Sequence, residues 1–316
     1  MVTVPFFPSF RELTLVRRYA VLDVFTDRAL AGNPLAVVLD SEGLDDARMQ
    51  AIAGEFNLSE TVFVLPPPRP GVSASVRIFT PAMELPFAGH PTVGTAVLLA
   101  TERLDGVSRE TDAMVVLEEK IGIVRCGVVI APGKPGKAVF DLPKLPEEKA
   151  FHGDVGLAAS ALGLDRSDIG FENHVPSVFG VGHPFVFVPL RNREAMARIK
   201  RDMAVWEGAF GAKGINIFVY TRDCAHQDGD FHARMFAPDL GIGEDPATGS
   251  AVASFAGVVM RFDGSPEGDR RLVIEQGYEM GRPSRLELEI TVEKGKLAGG
   301  RIGGHAVIVA RGELML

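Results

Sequence analysis

The hydrophobic positions of the chain form many short strand-like runs and two apolar helices. In the first half, β-branched and alternating runs predict strands, and a 3.6-residue hydrophobic period predicts a helix over 44–56. The predicted strands of this half are residues 19–25, 35–39, 59–65, 72–79, 113–119 and 123–130. A second helix, made of small and apolar residues, follows the strand at 72–79 and runs to about residue 103.

Two stretches of the chain share one pattern, which indicates an internal duplication. Residues 77–96 and 234–251 both open with Arg-x-Phe-x-Pro, and both end with a proline, a glycine and a small hydroxyl residue before an apolar helix. Proline at or near the first turn, as at Pro91 and Pro246, is typical of a helix start. Each copy is therefore predicted to be the entry to a helix.

Further anchors recur in the same order in the second half of the chain. A Gly-His-Pro at 182–184 echoes a Gly-Asn-Pro at 32–34, and each is followed by an apolar strand. A later strand match aligns Glu60 with Ile215. The duplication therefore predicts a carboxylate at this position in the first half only.

The duplication and the enclosed helices predict an α+β fold of two pseudo-symmetric domains. A helix that is apolar on all sides must be enclosed, and a curved antiparallel β-barrel wrapped around it also removes exposed sheet edges. The length of 316 residues suits two domains. The predicted divisions are an extension at 1–18, an N-terminal barrel at 19–132 with the strand 305–314 as a candidate to complete it, and a C-terminal barrel at 133–304.

Composition and charge narrow the functional classes. The chain is 46% hydrophobic and 23% charged, which is typical of a soluble globular protein, and its net charge is −8. That charge disfavours nucleic acid and anionic membranes as partners. The longest apolar run, residues 251–260, is half of the ~20 residues that a membrane span needs. Cys126 and Cys224 are too few for a disulfide framework, which favours a reducing cytoplasm.

No cofactor or metal is expected from the sequence. The histidines show no HExxH motif or clustered spacing, and the two cysteines have no metal-type spacing. The Gly-Ile-Gly at 241–243 lacks the third glycine of a dinucleotide fingerprint, and the segment 133–137 is not a P-loop. We therefore expect no metal and no nucleotide.

The two predicted helix entries together favour an anionic ligand. A helix N-terminus has unpaired backbone N–H groups and the positive end of the helix dipole. Because the duplication places one such end in each half, two of them facing one cleft would hold a carboxylate. The expected partner is a small carboxylate-bearing molecule.

Six motifs occur in order along the chain. They are Asp23-Val24-Phe25-Thr26, Gly32-Asn33-Pro34, Ser59-Glu60-Thr61, Gly89 to Ala96, Glu244 to Ala251 and Glu275 to Ser284. From about Tyr19 to Leu314 the chain thereby resembles the PhzF-like family, the phenazine biosynthesis isomerase group, which is related in fold to diaminopimelate epimerase. The resemblance implies two barrel domains with the active site between them, commonly in a homodimer. It also implies cofactor-free isomerisation in which a glutamate moves a proton.

The resemblance also implies roles for individual residues. Glu60 matches the catalytic glutamate of the family, and His90 and Asp245 match two polar groups that face each other at the helix entrances. The implied substrate-binding positions are Asn33, Ser59, Gly89, Thr92, Gly94, Thr248, Gly249 and Ser250. A base that removes a proton from carbon needs a pKa near the working pH, which for a glutamate requires burial. Glu60 begins an apolar strand that can desolvate it.

The residues alone leave alternatives open. Glu60 could be an exposed carboxylate at a strand end, and His90 or Asp245 could serve only to cap a helix. The preferred hypothesis is a cofactor-free isomerase of a small carboxylate-bearing metabolite that works with one base. A two-base racemase or epimerase, with the second base supplied by His90 or Asp245, is one alternative. A non-catalytic metabolite-binding protein of the same fold is the other.

Overall fold

The chain builds the same series of strands and helices twice. A computed structural model describes residues 16–211, 215–238 and 242–316. The first half contains β1 Val16–Val24, β2 Asn33–Val38, α1 Asp46–Phe56, β3 Glu60–Leu65, β4 Ala74–Phe79, β5 Glu84–Leu85, α2 Gly89–Arg103, β6 Thr111–Glu119, β7 Gly122–Ile130 and β8 Gly136–Asp141. The second half contains β9 Glu147–Lys149, α3 Val155–Ala161, a 3₁₀ turn Arg166–Asp168, β10 Ser177–Val181, β11 His183–Pro189, α4 Arg193–Arg198, α5 Trp206–Phe210, β12 Asn216–Thr221, β13 Phe231–Ala237, β14 Ile242–Asp245, α6 Gly249–Phe262, β15 Gly268–Gln276, β16 Ser284–Glu293 and β17 Lys296–Met315.

The strands of the first half close into a ring around α2. Following the hydrogen-bonded pairs, the ring runs β1, β2, β3, β4, β6, β7, β8, β17 and back to β1. Val93 and Leu98 of α2 are fully buried inside it. Closure pairs both edges of the sheet, so the apolar helix predicted after Pro91 lies in a dry interior.

The second half encloses α6 in the same way. Its strands pair in the order β9, β10, β11, β12, β13, β15, β16 and β17, and β17 also pairs with β8, whose chain leads into β9. Phe255 of α6 is fully buried. Its ring contacts the aromatic rings of Phe187, Phe218, Tyr220 and Phe231. The predicted architecture of two barrels, each around a central helix, is confirmed.

Each barrel also contains two parallel strand pairs, which the sequence analysis did not predict. In the first half β2 is parallel to β3 and β4 is parallel to β6; in the second half β11 is parallel to β12 and β13 is parallel to β15. A parallel pair requires a long connection between its strands, and α1 and α2 supply such connections in the first half.

Strand β17 is shared between the two rings. Its first part pairs with β16, and residues 306–315 pair with β1. Strand β8, which follows the predicted boundary at residue 132, pairs with β7. Residues 16–18, which the sequence analysis assigned to an extension, belong to β1, while residues 1–15 lie outside the described residues. The division into domains stays a prediction.

The strand registers correct one alignment between the halves. Glu60 pairs with Leu35 in the parallel pair β2 and β3, whereas Phe185, the counterpart of Leu35, pairs with Asn216. Asn216 is therefore the counterpart of Glu60, and the alignment with Ile215 was wrong by one residue. A one-residue slip turns every side chain to the other face of a sheet, and short apolar strands match equally well in either register. An amide cannot accept a proton as a carboxylate does, so only the first half carries a carboxylate here.

In the described ranges, none of the helices is long and apolar enough to cross a membrane.

Candidate active site

The N-termini of α2 and α6 meet at two glycines. A Cβ atom added to Gly89 would lie 3.2 Å from the Cα of Gly249 and 3.7 Å from the backbone N of Ser250. A Cβ atom added to Gly249 would meet the Cα of Gly89 at the same 3.2 Å. Side chains at these positions would force the helices apart, so glycine is what permits the approach. The positive ends of two helix dipoles therefore lie side by side, the arrangement that binds an anion.

Glu60 and His90 lie together beside these helix ends. Glu60 is the first residue of β3, and His90 lies in the first turn of α2. Their side chains are only 14% and 5% exposed, and Glu60 Oε2 is 3.4 Å from His90 Nε2. Neither atom makes a hydrogen bond with a described residue. Two buried polar atoms with free hydrogen-bonding capacity thus lie next to each other.

Asp245 reaches the same place from the second half and is held on both oxygens. The Thr248 hydroxyl donates to its Oδ2 at 2.6 Å, and Asn33 Nδ2 donates to its Oδ1 at 2.9 Å. The same Asn33 nitrogen also donates to the carbonyl of Ala247 at 2.9 Å and lies 3.5 Å from His90 Nδ1. Asn33 therefore connects the predicted catalytic groups of the two halves.

Burial shifts the pKa of each of the three groups away from its ordinary value. Desolvation, followed by the charge of Asp245, raises the pKa of Glu60 to about 8. Desolvation also raises the pKa of Asp245 to about 6, while its hydrogen bonds to Thr248 and Asn33 oppose the rise. The pKa of His90 falls to about 3, because burial outweighs the stabilising contact with the Pro34 carbonyl. Near pH 7 the site therefore holds a protonated Glu60, an ionised Asp245 and a neutral imidazole.

Several other residues implied by the resemblance turn out to have local structural roles. The Thr92 hydroxyl lies within hydrogen-bond distance of the Ala88 carbonyl and of Glu119 Oε1. A Cβ added to Gly94 would lie 2.6 Å from a methyl group of Leu35, against the barrel wall. Ser59 is partly buried in the turn before β3. The structure thus brings together the predicted residues Asn33, Glu60, Gly89, His90, Asp245, Thr248, Gly249 and Ser250, whereas Thr92 and Gly94 face the barrel interior.

Gln276, whose role the sequence did not reveal, binds the backbone of Asp245. Gln276 is fully buried at the end of β15. Its Nε2 donates to the backbone carbonyl of Asp245 at 2.7 Å and to the Thr248 hydroxyl oxygen at 3.0 Å, while its Oε1 accepts from the Thr248 N–H at 3.1 Å. Gln276 belongs to the motif Glu275 to Ser284, but only the tertiary structure shows that it reaches the Asp245 segment.

Glu119 was also missed, although the alternation along β6 contains its signal. The buried face of that strand contains Val115, Leu117 and Glu119. Glu119 Oε1 is 2.7 Å from the hydroxyl oxygen of Thr92, and its Oε2 has no hydrogen-bond partner among the described residues. The one hydrogen of the Thr92 hydroxyl can be donated either to Glu119 Oε1 or to the Ala88 carbonyl. Burial raises the pKa of Glu119 to about 8, and the hydrogen bond from Thr92 only partly opposes the rise.

The site is closed in this structure. Asn33, His90, Asp245 and Gln276 are all less than a tenth exposed. A cavity of about 480 Å³ lies elsewhere, and its lining includes Arg28, His226, Tyr278 and Arg285 but none of the predicted site residues. Within the described part of the chain, His, Cys, Asp and Glu side chains nowhere form a group of three or more that could hold a metal ion.

We expect Glu119→Gln to stabilise the protein at neutral pH. The folded pKa of about 8 lies above the ordinary value of 4.5, so between these values the folded state keeps a proton that the unfolded state has lost. Folding stability therefore falls as pH rises through this window, and a neutral glutamine avoids the loss. Urea unfolding at pH 5, 7 and 8.5 measures the free energy of unfolding. The variant should become more stable than the wild type as the pH rises, by on the order of 2 kcal/mol at pH 7.

The neighbouring Glu118→Gln is the matched control, because Glu118 makes a partly exposed pair with Arg69. It should leave the pH dependence of stability unchanged. Parallel stability curves for the wild type and Glu119→Gln would contradict the assignment of a neutral Glu119.

Known proteins resemble this chain over nearly its whole length. A family model described as phenazine biosynthesis-like protein, PhzC-PhzF, matches residues 22–312. An uncharacterized isomerase of Mesorhizobium japonicum is 52% identical over 308 residues, which cover 95% of this chain and 99% of that protein. A trans-2,3-dihydro-3-hydroxyanthranilate isomerase of Pseudomonas aeruginosa is 35% identical over 302 residues, which cover 95% of this chain and 100% of that protein.

A solved structure extends the similarity to the fold. The PhzF-family phenazine biosynthesis protein of Bacillus anthracis matches with a TM-score of 0.84 at 27% identity, covering 96% of this chain and 100% of that one. The match therefore includes both barrels and the helix ends between them. The chain belongs to the phenazine biosynthesis-like family, PhzC-PhzF, and is an isomerase.

Proposed function

We propose that the protein is a cofactor-free isomerase that moves a proton on a small carboxylate-bearing metabolite, with Glu60 as the group that transfers it. The observation that carries this proposal is the state of the Glu60 carboxyl group. It is buried, its Oε2 has no hydrogen-bond partner among the described residues, and its pKa is raised to about 8. A carboxyl group with such a pKa can both take and give a proton near neutral pH.

The paired helix ends supply the binding part of the proposal. The N–H groups in the first turns of α2 and α6 have no carbonyl partner within their own helices. At the contact between Gly89 and Gly249 these groups and the two helix dipoles would hold the substrate carboxylate. The net charge of −8 gives no general attraction for an anion, so the local N–H groups must provide it.

The proton transfer needs only groups of this chain. With the substrate carboxylate held at the helix ends, the ionised form of Glu60 takes a proton from carbon, and the electron pair of the broken C–H bond shifts along the unsaturated substrate. The protonated Glu60 then returns the proton to another carbon, so the carboxyl group ends as it began. The neutral imidazole of His90 can form a hydrogen bond with the substrate. The negative charge of Asp245 helps to keep the pKa of Glu60 high.

The relatives guide the choice of substrate. The relative from Pseudomonas aeruginosa acts as a trans-2,3-dihydro-3-hydroxyanthranilate isomerase. We infer that this chain takes a cyclic or unsaturated carboxylate of similar size. We also infer that it works in the cytoplasm, which its two cysteines favour, and as a homodimer, which the family resemblance implies. Small carboxylates screened by thermal shift, with the hits tested for exchange of a carbon-bound proton, would identify the substrate class.

Glu60→Gln should abolish most turnover while substrate binding remains. The amide keeps the shape and hydrogen-bonding capacity of the side chain but cannot accept a proton. Turnover should therefore fall by about 10² or more, with the dissociation constant from calorimetry changed by less than about tenfold. Glu55→Gln, on the exposed face of α1, is the matched control and should keep wild-type turnover. Undiminished turnover in Glu60→Gln would transfer the role of base to Asp245.

A two-base epimerase is the second candidate, and one observation favours it. Near pH 7 Glu60 is protonated and Asp245 is ionised, and they come from opposite halves of the chain. An acid and a base on opposite sides of a substrate would invert a carbon centre. Against this candidate, Asn33 and Thr248 already donate hydrogen bonds to the two Asp245 oxygens, which makes Asp245 a weaker base.

Turnover in deuterated water should distinguish the two candidates. A single base that takes and returns the proton on one face should give partial retention of the substrate's own hydrogen in the product, with no epimerised substrate. Mass spectrometry and chiral chromatography at early conversion measure the two quantities. Accumulation of the epimer, with complete deuterium incorporation from solvent, would establish the epimerase instead.

A further inference from the structure

The connection between β15 and β16 reaches across to the first half of the chain. Arg282, near its end, donates from Nε to the Gly32 carbonyl at 2.8 Å and from Nη2 to the Ala31 carbonyl at 2.7 Å. The same Nη2 pairs with Asp23, whose side chain is 3% exposed. One guanidinium group therefore binds two successive carbonyls and a buried carboxylate of the opposite half.

The turn that Arg282 binds requires glycine at position 32 and is hydrogen-bonded by the opposite half of the chain. Gly32 has a φ of +67°, and a Cβ atom there would lie 2.3 Å from the Val24 carbonyl oxygen, so only glycine fits. Its N–H donates to the Pro283 carbonyl at 3.1 Å. Two carbonyls and one N–H of this turn are thus satisfied by residues 282–283 of the other half.

Asn33, the next residue, makes the hydrogen bond that stabilises ionised Asp245. Its amide is fully buried, and both of its hydrogens are used, one on Asp245 and one on the Ala247 carbonyl. The direction of the amide follows from the backbone of the turn, because Asn33 begins β2 immediately after Gly32. Any rotation of the turn would therefore move the donor away from Asp245.

The other end of the connection between β15 and β16 begins at Gln276, which positions Asp245, the acceptor of the Asn33 hydrogen bond. Gln276 binds the backbone of Asp245 and Thr248, as described above. The connection then folds back at Gly277, whose φ is +77° and whose carbonyl accepts from the Arg282 N–H at 2.9 Å. Donor and acceptor of the Asn33–Asp245 bond are thus held by the two ends of one short segment.

The segment itself is fixed to the second barrel by a buried histidine. His232 on β13 is bound on both ring nitrogens, by Glu275 at 2.9 Å and by Glu279 at 3.0 Å. Glu275 also accepts from the N–H groups of Ala225 and His226. The segment is therefore attached to the core of its own half, and its contacts with the turn 31–33 are made from a rigid base.

We propose that Arg282 is a positioning residue that sets the Asn33 amide on Asp245 from the opposite half and so keeps Asp245 ionised beside Glu60. Its importance for turnover rests on the proposed function, whereas the geometric claim does not. Arginine suits the task because its planar fork presents several N–H donors in fixed directions. A lysine would keep the charge beside Asp23, but its single nitrogen cannot reproduce the two directed bonds to Gly32 and Ala31.

The test is the titration of Asp245 followed by ¹³C NMR of its carboxyl carbon, assigned with Asp245→Asn. The variants are Arg282→Lys, Asn33→Ala and the two combined. Losing a donor to the charged form raises a carboxyl pKa, so both single variants should raise the Asp245 midpoint, by at least about half a pH unit. The combined variant should shift it no further than Asn33→Ala alone. Glu60, His90 and Glu244 also face Asp245 and remain unchanged in all variants.

Arg271→Lys is the matched control, because the half-exposed Arg271 side chain pairs with Glu287, which is not among the residues around Asp245. This variant should leave the Asp245 midpoint where it is. An unshifted midpoint in Arg282→Lys alongside a shift in Asn33→Ala would overturn the proposal, as would additive shifts. If Arg282→Lys does not fold, Asp23→Asn removes the carboxylate that orients the guanidinium and should shift the midpoint in the same direction; no shift there would also overturn it. The readout needs no substrate, so a protein that shows these shifts but catalyses no proton transfer would refute only the proposed function.

Discussion

The structure depends on keeping two carboxyl groups close together in a place that excludes water. Glu60 comes from the first half and Asp245 from the second, and burial raises the pKa of both. Two negative charges in such a place would repel each other, so one group keeps its proton. The asymmetry of the surroundings decides which: Asp245 accepts hydrogen bonds on both oxygens, whereas Glu60 Oε2 has none from the described residues. The resulting Glu60 pKa of about 8 lies close to neutral pH, so the carboxyl group can give a proton and its ionised form can take one, as the proposed reaction requires.

The two barrels provide the surroundings that this arrangement requires. Each barrel closes around an apolar helix, and the N-termini of α2 and α6 meet where Gly89 and Gly249 permit close approach. Burying a carboxyl group weakens folding at neutral pH, and both Glu60 and the neutral Glu119 do so here. The extensive apolar interior of the two barrels offsets this cost. The stability of the barrels thus makes it possible to bury these carboxyl groups.

The sequence was most informative where the chemistry is local. The helix entries at Pro91 and Pro246 could be predicted, because proline, glycine and capping residues have short-range signatures. The grouping of Glu60, His90 and Asp245 followed from the resemblance to the PhzF-like family. The alignment of Glu60 with Ile215 between the two halves was wrong, because a short apolar strand matches equally well in two registers. Gln276 and Arg282 act on residues far away in the chain, so their roles could not be predicted before the halves were placed together. Glu119 could have been found from the alternation along β6, because it lies on the same buried face as Val115 and Leu117.

The most direct test of this account is the titration of the Glu60 carboxyl group itself, followed by ¹³C NMR and assigned with Glu60→Gln. In the wild type we expect a midpoint near pH 8, because burial and the charge of Asp245 both raise the Glu60 pKa. In Asp245→Asn, where that charge is absent, the midpoint should be lower. A Glu60 midpoint near the ordinary value of 4.5, unchanged in Asp245→Asn, would contradict the claim that the two halves together prepare Glu60 for proton transfer.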